Sequence, residues 1–268
     1  MSIEKTTRRE SLFVPSLRLG RTVATDLFLP MEPEGRQDVS LLLINDGQDL
    51  DRVGLEGMLD DLYERDLIHP LVCVGIHAGP DRKMEYGTAG QADYLGRGAG
   101  AEAYTRFIFE ELLPAVRKRW VLPVFREKAF AGFSLGALSA MDIVWSHPQE
   151  FTRAGLFSGS FWWRSRDKSD AAYDETRDRI MQRAVHDGGY YSWLKFFFEC
   201  GTEDEKEDRN GNGVIDSIDD TKDLIGELVA KGYDISKDIR YLEIEGGDHS
   251  VETWGRAMPE FLLWGWGK

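Results

Sequence analysis

Lys128-Ala-Phe-Ala-Gly132-Phe133-Ser134-Leu135-Gly136-Ala-Leu-Ser-Ala140-Met141 is the stretch whose reading decides the fold. Its first half, Lys128 to Phe133, has the length and largely apolar composition of a strand. From Leu135 to Trp145 small and apolar residues continue as a helix. Between the two, Gly132-Phe133-Ser134-Leu135-Gly136 has the Gly-x-Ser-x-Gly spacing of a nucleophile elbow. Glycines on both sides let strand and helix meet in a tight turn, and the serine is held out at the edge of a sheet in a strained conformation. The helix that follows turns its N-terminus toward the serine, where negative charge is favoured.

Outward from the elbow, short apolar runs alternate with longer amphipathic ones. Strands are expected at Arg21–Leu29, lying at an edge, then Ser40–Asn45, Leu71–Ile76, Arg153–Phe157, Lys195–Cys200 and Ile239–Ile244. Tyr104, Ile108, Leu112 and Val116 recur every four residues, the apolar face of a helix over 101–120, and Pro114 should bend it or end its regular part. This pattern predicts an α/β fold with a mostly parallel central sheet flanked by helices. No composition shift marks a second domain, so residues 1–268 are expected to form one unit, which is within the range of single α/β domains. The polar, partly helical stretch 164–193 is expected to form a cap over the site.

A serine hydroxyl needs a base to take its proton. Of the five histidines, His69 and His147 precede prolines at element boundaries, His186 lies in the polar stretch, and His77 precedes the serine in the chain. His249, in Glu245-Gly-Gly-Asp-His249-Ser, follows the last strand, which is where this kind of fold delivers its base. The acid that orients the imidazolium should follow a strand between Ser134 and His249. Gly201-Thr202-Glu203-Asp204-Glu205 closes the run from Lys195; Asp204 is the first choice and Glu203 the alternative, since spacing alone leaves the register open. The chain order serine, acid, histidine is that of an α/β-hydrolase. The oxyanion needs two amide donors. Leu135 supplies one, and Gln48 in Asp46-Gly47-Gln48 is expected to supply the other, although an ordinary Asp-Gly turn would read the same way. Trp162 and Trp163 are expected to line a substrate pocket, with Phe161 in the core.

Thirty-three basic residues against 47 acidic ones leave a net charge of −14. That disfavours nucleic-acid binding, which requires a basic face, and gives no reason to dock on an anionic membrane. No apolar run follows the N-terminal charges of Met1 to Gly20, so no signal peptide is expected and a cytoplasmic location is. Cys73 and Cys200 each sit in an apolar strand-like run and are expected to be free and buried.

From about Leu17 to Trp264 the chain resembles the putative esterase family of α/β-hydrolases. The resemblance rests on Ile44-Asn-Asp-Gly47, Glu110-Glu-Leu-Leu-Pro114, Ala131-Gly-Phe-Ser-Leu-Gly136, Ser158-Gly-Ser-Phe-Trp-Trp163 and Gly246-Gly-Asp-His249 with Trp254. That family includes enterochelin esterases, S-formylglutathione hydrolases, feruloyl and acetylxylan esterases and mycolyltransferases; the Ser-Gly-Ser-Phe-Trp-Trp and Gly-Gly-x-His segments look most like the enterochelin esterase branch. The resemblance implies that Ser134, Asp204 and His249 take the triad positions.

One segment departs from it. Asp208-Arg-Asn210-Gly-Asn212-Gly213-Val214-Ile215-Asp216-Ser-Ile-Asp219 places side-chain oxygens at positions 1, 3, 5, 9 and 12 of a twelve-residue loop, with glycine at 6. This is the spacing by which an EF-hand-like loop wraps Ca2+, with the Val214 carbonyl as a further ligand. A structural Ca2+ is therefore expected, with an exiting helix over Asp220–Ala230, against the alternative of a solvated pair of Asn-Gly turns. No cofactor is expected for catalysis. The sequence favours a serine esterase acting on a small-molecule ester such as a siderophore, aryl or carbohydrate ester. An acyltransferase would differ only in the acceptor. A non-catalytic calcium-dependent binding module would predict a missing triad member.

Overall fold

The computed structural model describes residues 6–30, 38–120 and 124–268, so the first five residues of the N-terminal reading lie outside it. Eight strands form one sheet: β1 (Thr7–Ser16), β2 (Arg21–Pro30), β3 (Ser40–Asn45), β4 (Leu71–Ile76), β5 (Lys128–Phe133), β6 (Arg153–Phe157), β7 (Lys195–Glu203) and β8 (Ile239–Asp248). Their order is β1-β2-β4-β3-β5-β6-β7-β8. β2 runs antiparallel to both β1 and β4, and every pair from β4 to β8 is parallel. The chain has the α/β-hydrolase fold.

The helices of seven residues or more are α1 (Leu55–Glu64), α2 (Ala101–Phe107), α3 (Leu113–Trp120), α4 (Leu135–Ser146), α5 (Ile180–Asp187), α6 (Asp216–Lys231) and α7 (Val251–Trp266). Alternate strand residues face opposite ways, so the sheet carries two cores. Leu41, Leu43, Phe130, Leu156 and Phe198 pack with α2 to α6. Leu42, Ile44, Ala131, Phe157 and Phe197 pack with α1 and α7. Central parallel strands are covered on both faces and therefore read as unbroken apolar runs, which is why β3 to β6 were visible in the sequence.

Two differences have clear causes. The edge strand is β1 rather than β2, paired along its whole length from Thr7 against Pro30 to Ser16 against Arg21. Half of β1 is solvated, and its charges hide it from an apolar count. Between α2 and α3 the backbone widens into a π-turn at Ile108–Leu112. Its wider coil meets Pro114, whose ring cannot sit in regular α-helix. The helix over 101–120 is interrupted there.

Candidate active site

Ser134 stands where β5 hands over to α4, with φ 55° and ψ −121°. Such a conformation is costly for any residue with a Cβ and persists only where its surroundings impose it. Here the two elements meet without space for side chains. A Cβ on Gly132 would lie 2.3 Å from the Gly136 carbonyl oxygen, and one on Gly136 would lie 2.7 Å from Asp46 Oδ2. Asn45, fully buried at the end of β3, donates from Nδ2 to the Gly136 carbonyl at 2.8 Å and accepts from the Tyr104 hydroxyl at 2.5 Å. The Ser134 amide donates to Phe157 O at 2.8 Å. The elbow is thus fastened to β3 on one side and to β6 on the other.

A cleft of about 310 Å³ opens over the serine, lined by Ser134, Ser158, Gly159, Ser160, Trp162, Asp204, Glu205, Ser217 and His249. Asp204 and His249 arrive from loops after β7 and β8. His249 Nδ1 lies 3.7 Å from Asp204 Oδ1; the His249 side chain is 40% exposed and that of Asp204 is 1% exposed. This is an ion-pair separation, longer than a hydrogen bond, and contacts of this kind tighten when substrate enters. Trp254 sets its ring edge-on to His249 at 5.4 Å and stacks on Phe133 at 4.9 Å. Glu203, the alternative acid, ends β7 in solvent. The Ser134 hydroxyl is 3.5 Å from the Ser160 hydroxyl, and the Ser160 amide donates to Ser134 O.

Behind Asp204 lies a buried polar group that the sequence reading passed over. Ser158, held at φ 45°, accepts a hydrogen bond from Trp254 Nε1 at 2.9 Å and donates to Asp204 Oδ1 at 3.1 Å. Its hydroxyl is also 3.5 Å from Oε2 of Glu199, a carboxyl with no exposed surface in the middle of β7. Burial, and after it the charge of Asp204, pushes Glu199 up to about 8. The signal was a lone carboxyl inside Phe-Phe-Phe-Glu199-Cys200.

The turn after β3 is built around Asp46, at φ 60°, whose buried carboxylate takes a two-pronged ion pair from Arg82 at 2.6 and 2.7 Å. Leu135, first in α4, has no intrahelical acceptor for its amide N–H. Gln48 is exposed; its side chain accepts from the Ala78 amide and donates to Asp49, so only its backbone remains for an oxyanion. Of the two tryptophans, Trp162 lines the cleft while Trp163 is fully buried and does not. The Trp163 indole packs on Gly87 and Gly98, where any Cβ would meet its ring at about 3 Å. Arg97 lies over both indoles, 5.0 and 5.2 Å from their centroids. No residue of 164–193 lines the cleft. That segment packs with α5 against α6 and α4, and its Arg164, Tyr173 and Arg179 adjoin Trp162.

In the loop at 208–219, Asp208 accepts from the amides of Gly211, Asn212 and Gly213 at 2.7 to 3.1 Å. Asn210 and Asn212 both donate their side-chain amides to Asp219 Oδ2, at 2.8 and 2.9 Å, and Asp216 accepts from the Arg209 amide. The exiting helix starts at Asp216, four residues before its expected start. Among the described residues no three His, Cys, Asp or Glu side chains gather where they could hold a metal ion. Carboxylates alone would therefore not make a site here, and amide and carbonyl oxygens would have to complete it. Cys73 and Cys200 are free and buried. No helix among the described residues is long and apolar enough to cross a membrane.

With this geometry in hand, the chain can be set beside known proteins. An uncharacterized protein of Bacillus subtilis (strain 168) is 23% identical over 232 residues, 84% of either chain. Among solved structures, a ferulic acid esterase superposes with a TM-score of 0.69 at 17% identity, covering 97% of this chain and 98% of that one. A siderophore hydrolase from Aspergillus nidulans gives 0.68 at 17% identity, covering 95% of each. The enterobactin esterase of Shigella flexneri gives 0.71 at 18% identity over 96% of this chain, which spans only 58% of that protein's length. At these identities the superpositions speak for the fold. The family described as Putative esterase matches residues 16–264, nearly the whole chain, and the chain belongs to it.

Proposed function

We propose that this esterase cleaves its substrate through an acyl-enzyme on Ser134, with His249 as general base and Asp204 as the acid that orients it. The observation that carries the reading is the strained backbone of Ser134, set in one cleft with Asp204 and His249. His249 takes the Ser134 hydroxyl proton as Oγ attacks the ester carbonyl carbon. The Leu135 amide and a backbone donor of the Gln48 loop would receive the oxyanion. Collapse of the tetrahedral adduct expels the alcohol, which takes the proton back from His249. Water, deprotonated by His249, then releases the acid and frees Ser134. Ser134→Ala should lower p-nitrophenyl acetate turnover by at least about a thousandfold; equal turnover by both proteins would overturn the mechanism.

The substrate this cleft fits best is a small ester with an aromatic acyl group. Its volume is at the low end for ligand sites, and Trp162 supplies an aromatic wall. A net charge of −14 works against a strongly anionic complex at long range. Turnover of a panel of acetyl, aryl and lactone esters tests this, and equal kcat/KM across the panel would refute it.

We further propose that the 208–219 loop binds Ca2+ as a structural ion. The residues fit the group in chemistry: Asp208, Asn210, Asn212, Asp216 and Asp219 carry hard oxygen donors at EF-hand spacing, and the Val214 carbonyl would add a sixth. Asn210 and Asn212 now turn amide nitrogens to Asp219, so binding would require both amides to rotate. Glu205, just before the loop, and Ser217, within it, line the cleft, so the ion would order the catalytic loop without entering the chemistry. Adding Ca2+ to chelator-treated protein should raise the melting temperature, and Asp208→Ala should abolish the rise; no rise in the wild type would refute the site.

A further inference from the structure

Two carboxyl side chains meet one hydroxyl behind the catalytic cleft. Asp204 and Glu199 are 1% and 0% exposed, and both lie within 3.5 Å of Ser158 Oγ. Each keeps one buried oxygen, Asp204 Oδ2 and Glu199 Oε1, with no hydrogen-bond partner. A serine hydroxyl has one proton to give and two lone pairs to accept with. Ser158 already accepts from Trp254 Nε1. If both carboxyls were ionised they would compete for the one proton, and one buried carboxylate would be left without a donor, which is strongly unfavourable. A neutral Glu199 resolves this. It donates to the second lone pair of Ser158, and Ser158 gives its own proton to Asp204.

We infer that Glu199 is a positioning residue that works in its neutral form, aiming the Ser158 hydroxyl at Asp204. The inference rests on the proposed roles of Ser134, His249 and Asp204. Among the described residues no cation forms an ion pair with Glu199. Asp204 comes from the loop after β7, and His249 from the loop after β8 sits against Asp204. Arg256 on α7 opposes the shift but is the smallest of its causes, and its guanidinium donates to the Glu245 carbonyl. Cys200, next in β7, is a buried thiol held neutral. The upward shift of Glu199 agrees with this arrangement. When Glu199 loses its proton, Ser158 is drawn from Asp204 and a second negative charge enters the site. Glu199 does not line the cleft, so the loss should fall on kcat and leave KM in place.

The test is the pH profile of kcat for p-nitrophenyl acetate, with Ser134→Ala rates subtracted. Wild type should lose activity on the alkaline side, by about tenfold between pH 7 and pH 9 for a group near 8. Glu199→Gln keeps a donor for Ser158 but cannot titrate; relative to its own rate at pH 7 it should hold within about twofold to pH 9. An unchanged alkaline limb in Glu199→Gln overturns the inference. If Ser134→Ala retains full activity, the acyl-enzyme reading fails instead, which keeps the two failures apart. Should Glu199→Gln not fold, infrared difference spectra of the wild type between pH 7 and pH 9 decide the matter. A protonated-carboxyl band lost on raising the pH, and present in Ser134→Ala as well, supports the inference, and its absence at pH 7 overturns it.

Discussion

Replacing Ser158 with alanine removes one oxygen atom and breaks its two shortest buried hydrogen bonds. The bond from Trp254 Nε1, at 2.9 Å, is neutral and contributes about 1 kcal/mol. The bond to Asp204, at 3.1 Å, reaches a charged acceptor and contributes about 1.5–3 kcal/mol. Ser158→Ala should therefore cost about 3 kcal/mol, a fall in melting temperature of roughly 6–12 °C for a chain of this size. Ser158→Gly loses the same bonds but relieves the φ of 45°, where a Cβ costs about 1 kcal/mol. The glycine variant should accordingly melt above the alanine variant. Thermal melts of the three proteins, with kcat measured alongside, check both statements. An alanine variant within 2 °C of wild type, on the order of measurement scatter, would refute the network; a glycine variant less stable than the alanine variant would refute the strain.

Three further outcomes follow from the same geometry. Gly136→Ala forces a methyl against Asp46 Oδ2 at 2.7 Å, on a carboxylate that Arg82 holds from two sides; overpacking of this kind should cost about 1–3 kcal/mol and lower kcat, and an unchanged melt would show that α4 can move aside. Asp142, buried in α4 and accepting from the Ala89 amide, is pushed by burial up to about 6 from 3.8. A carboxyl raised on folding stabilises fully below its unfolded value and loses that contribution as pH rises through 6, so between pH 4 and pH 7 the wild type should lose up to about 3 kcal/mol that Asp142→Asn retains in denaturation midpoints. Trp162→Ala should lower kcat/KM for an aryl ester about tenfold more than for an acetyl ester, and equal losses would remove Trp162 from the acyl pocket.

How much of this was legible beforehand depended on whether the information was local. β3, β4, β5 and β6 end on the residues read from the sequence, because a strand covered on both faces shows itself as an apolar run with polar ends. β1 was not read, since only its pairing with β2 and the packing of one face reveal it. Ser134 could be recognised because the requirement for glycine around it is a backbone requirement, carried by five consecutive residues. His249 and Asp204 were narrowed by chain order, which reflects the order in which the parallel strands deliver their loops.

What could not be read was side-chain direction set by distant parts of the chain. Trp162 and Trp163 are neighbours of the same type, and only the packing of Gly87 and Gly98 turns one into the core while the other faces the cleft. Glu199 differs in kind. A carboxyl inside an apolar run is conspicuous, because nothing in a buried strand compensates its charge. Yet its meaning depends on Ser158, 41 residues away, and on the φ of 45° that brings the Ser158 hydroxyl within reach of both carboxyls. A positive φ is therefore found three times at this end of the sheet, at Asp46 after β3, at Ser134 after β5 and at Ser158 after β6. Both serines follow parallel neighbouring strands, and both line the same cleft. In the proposed mechanism the first attacks, and the second holds the acid that makes the attack work.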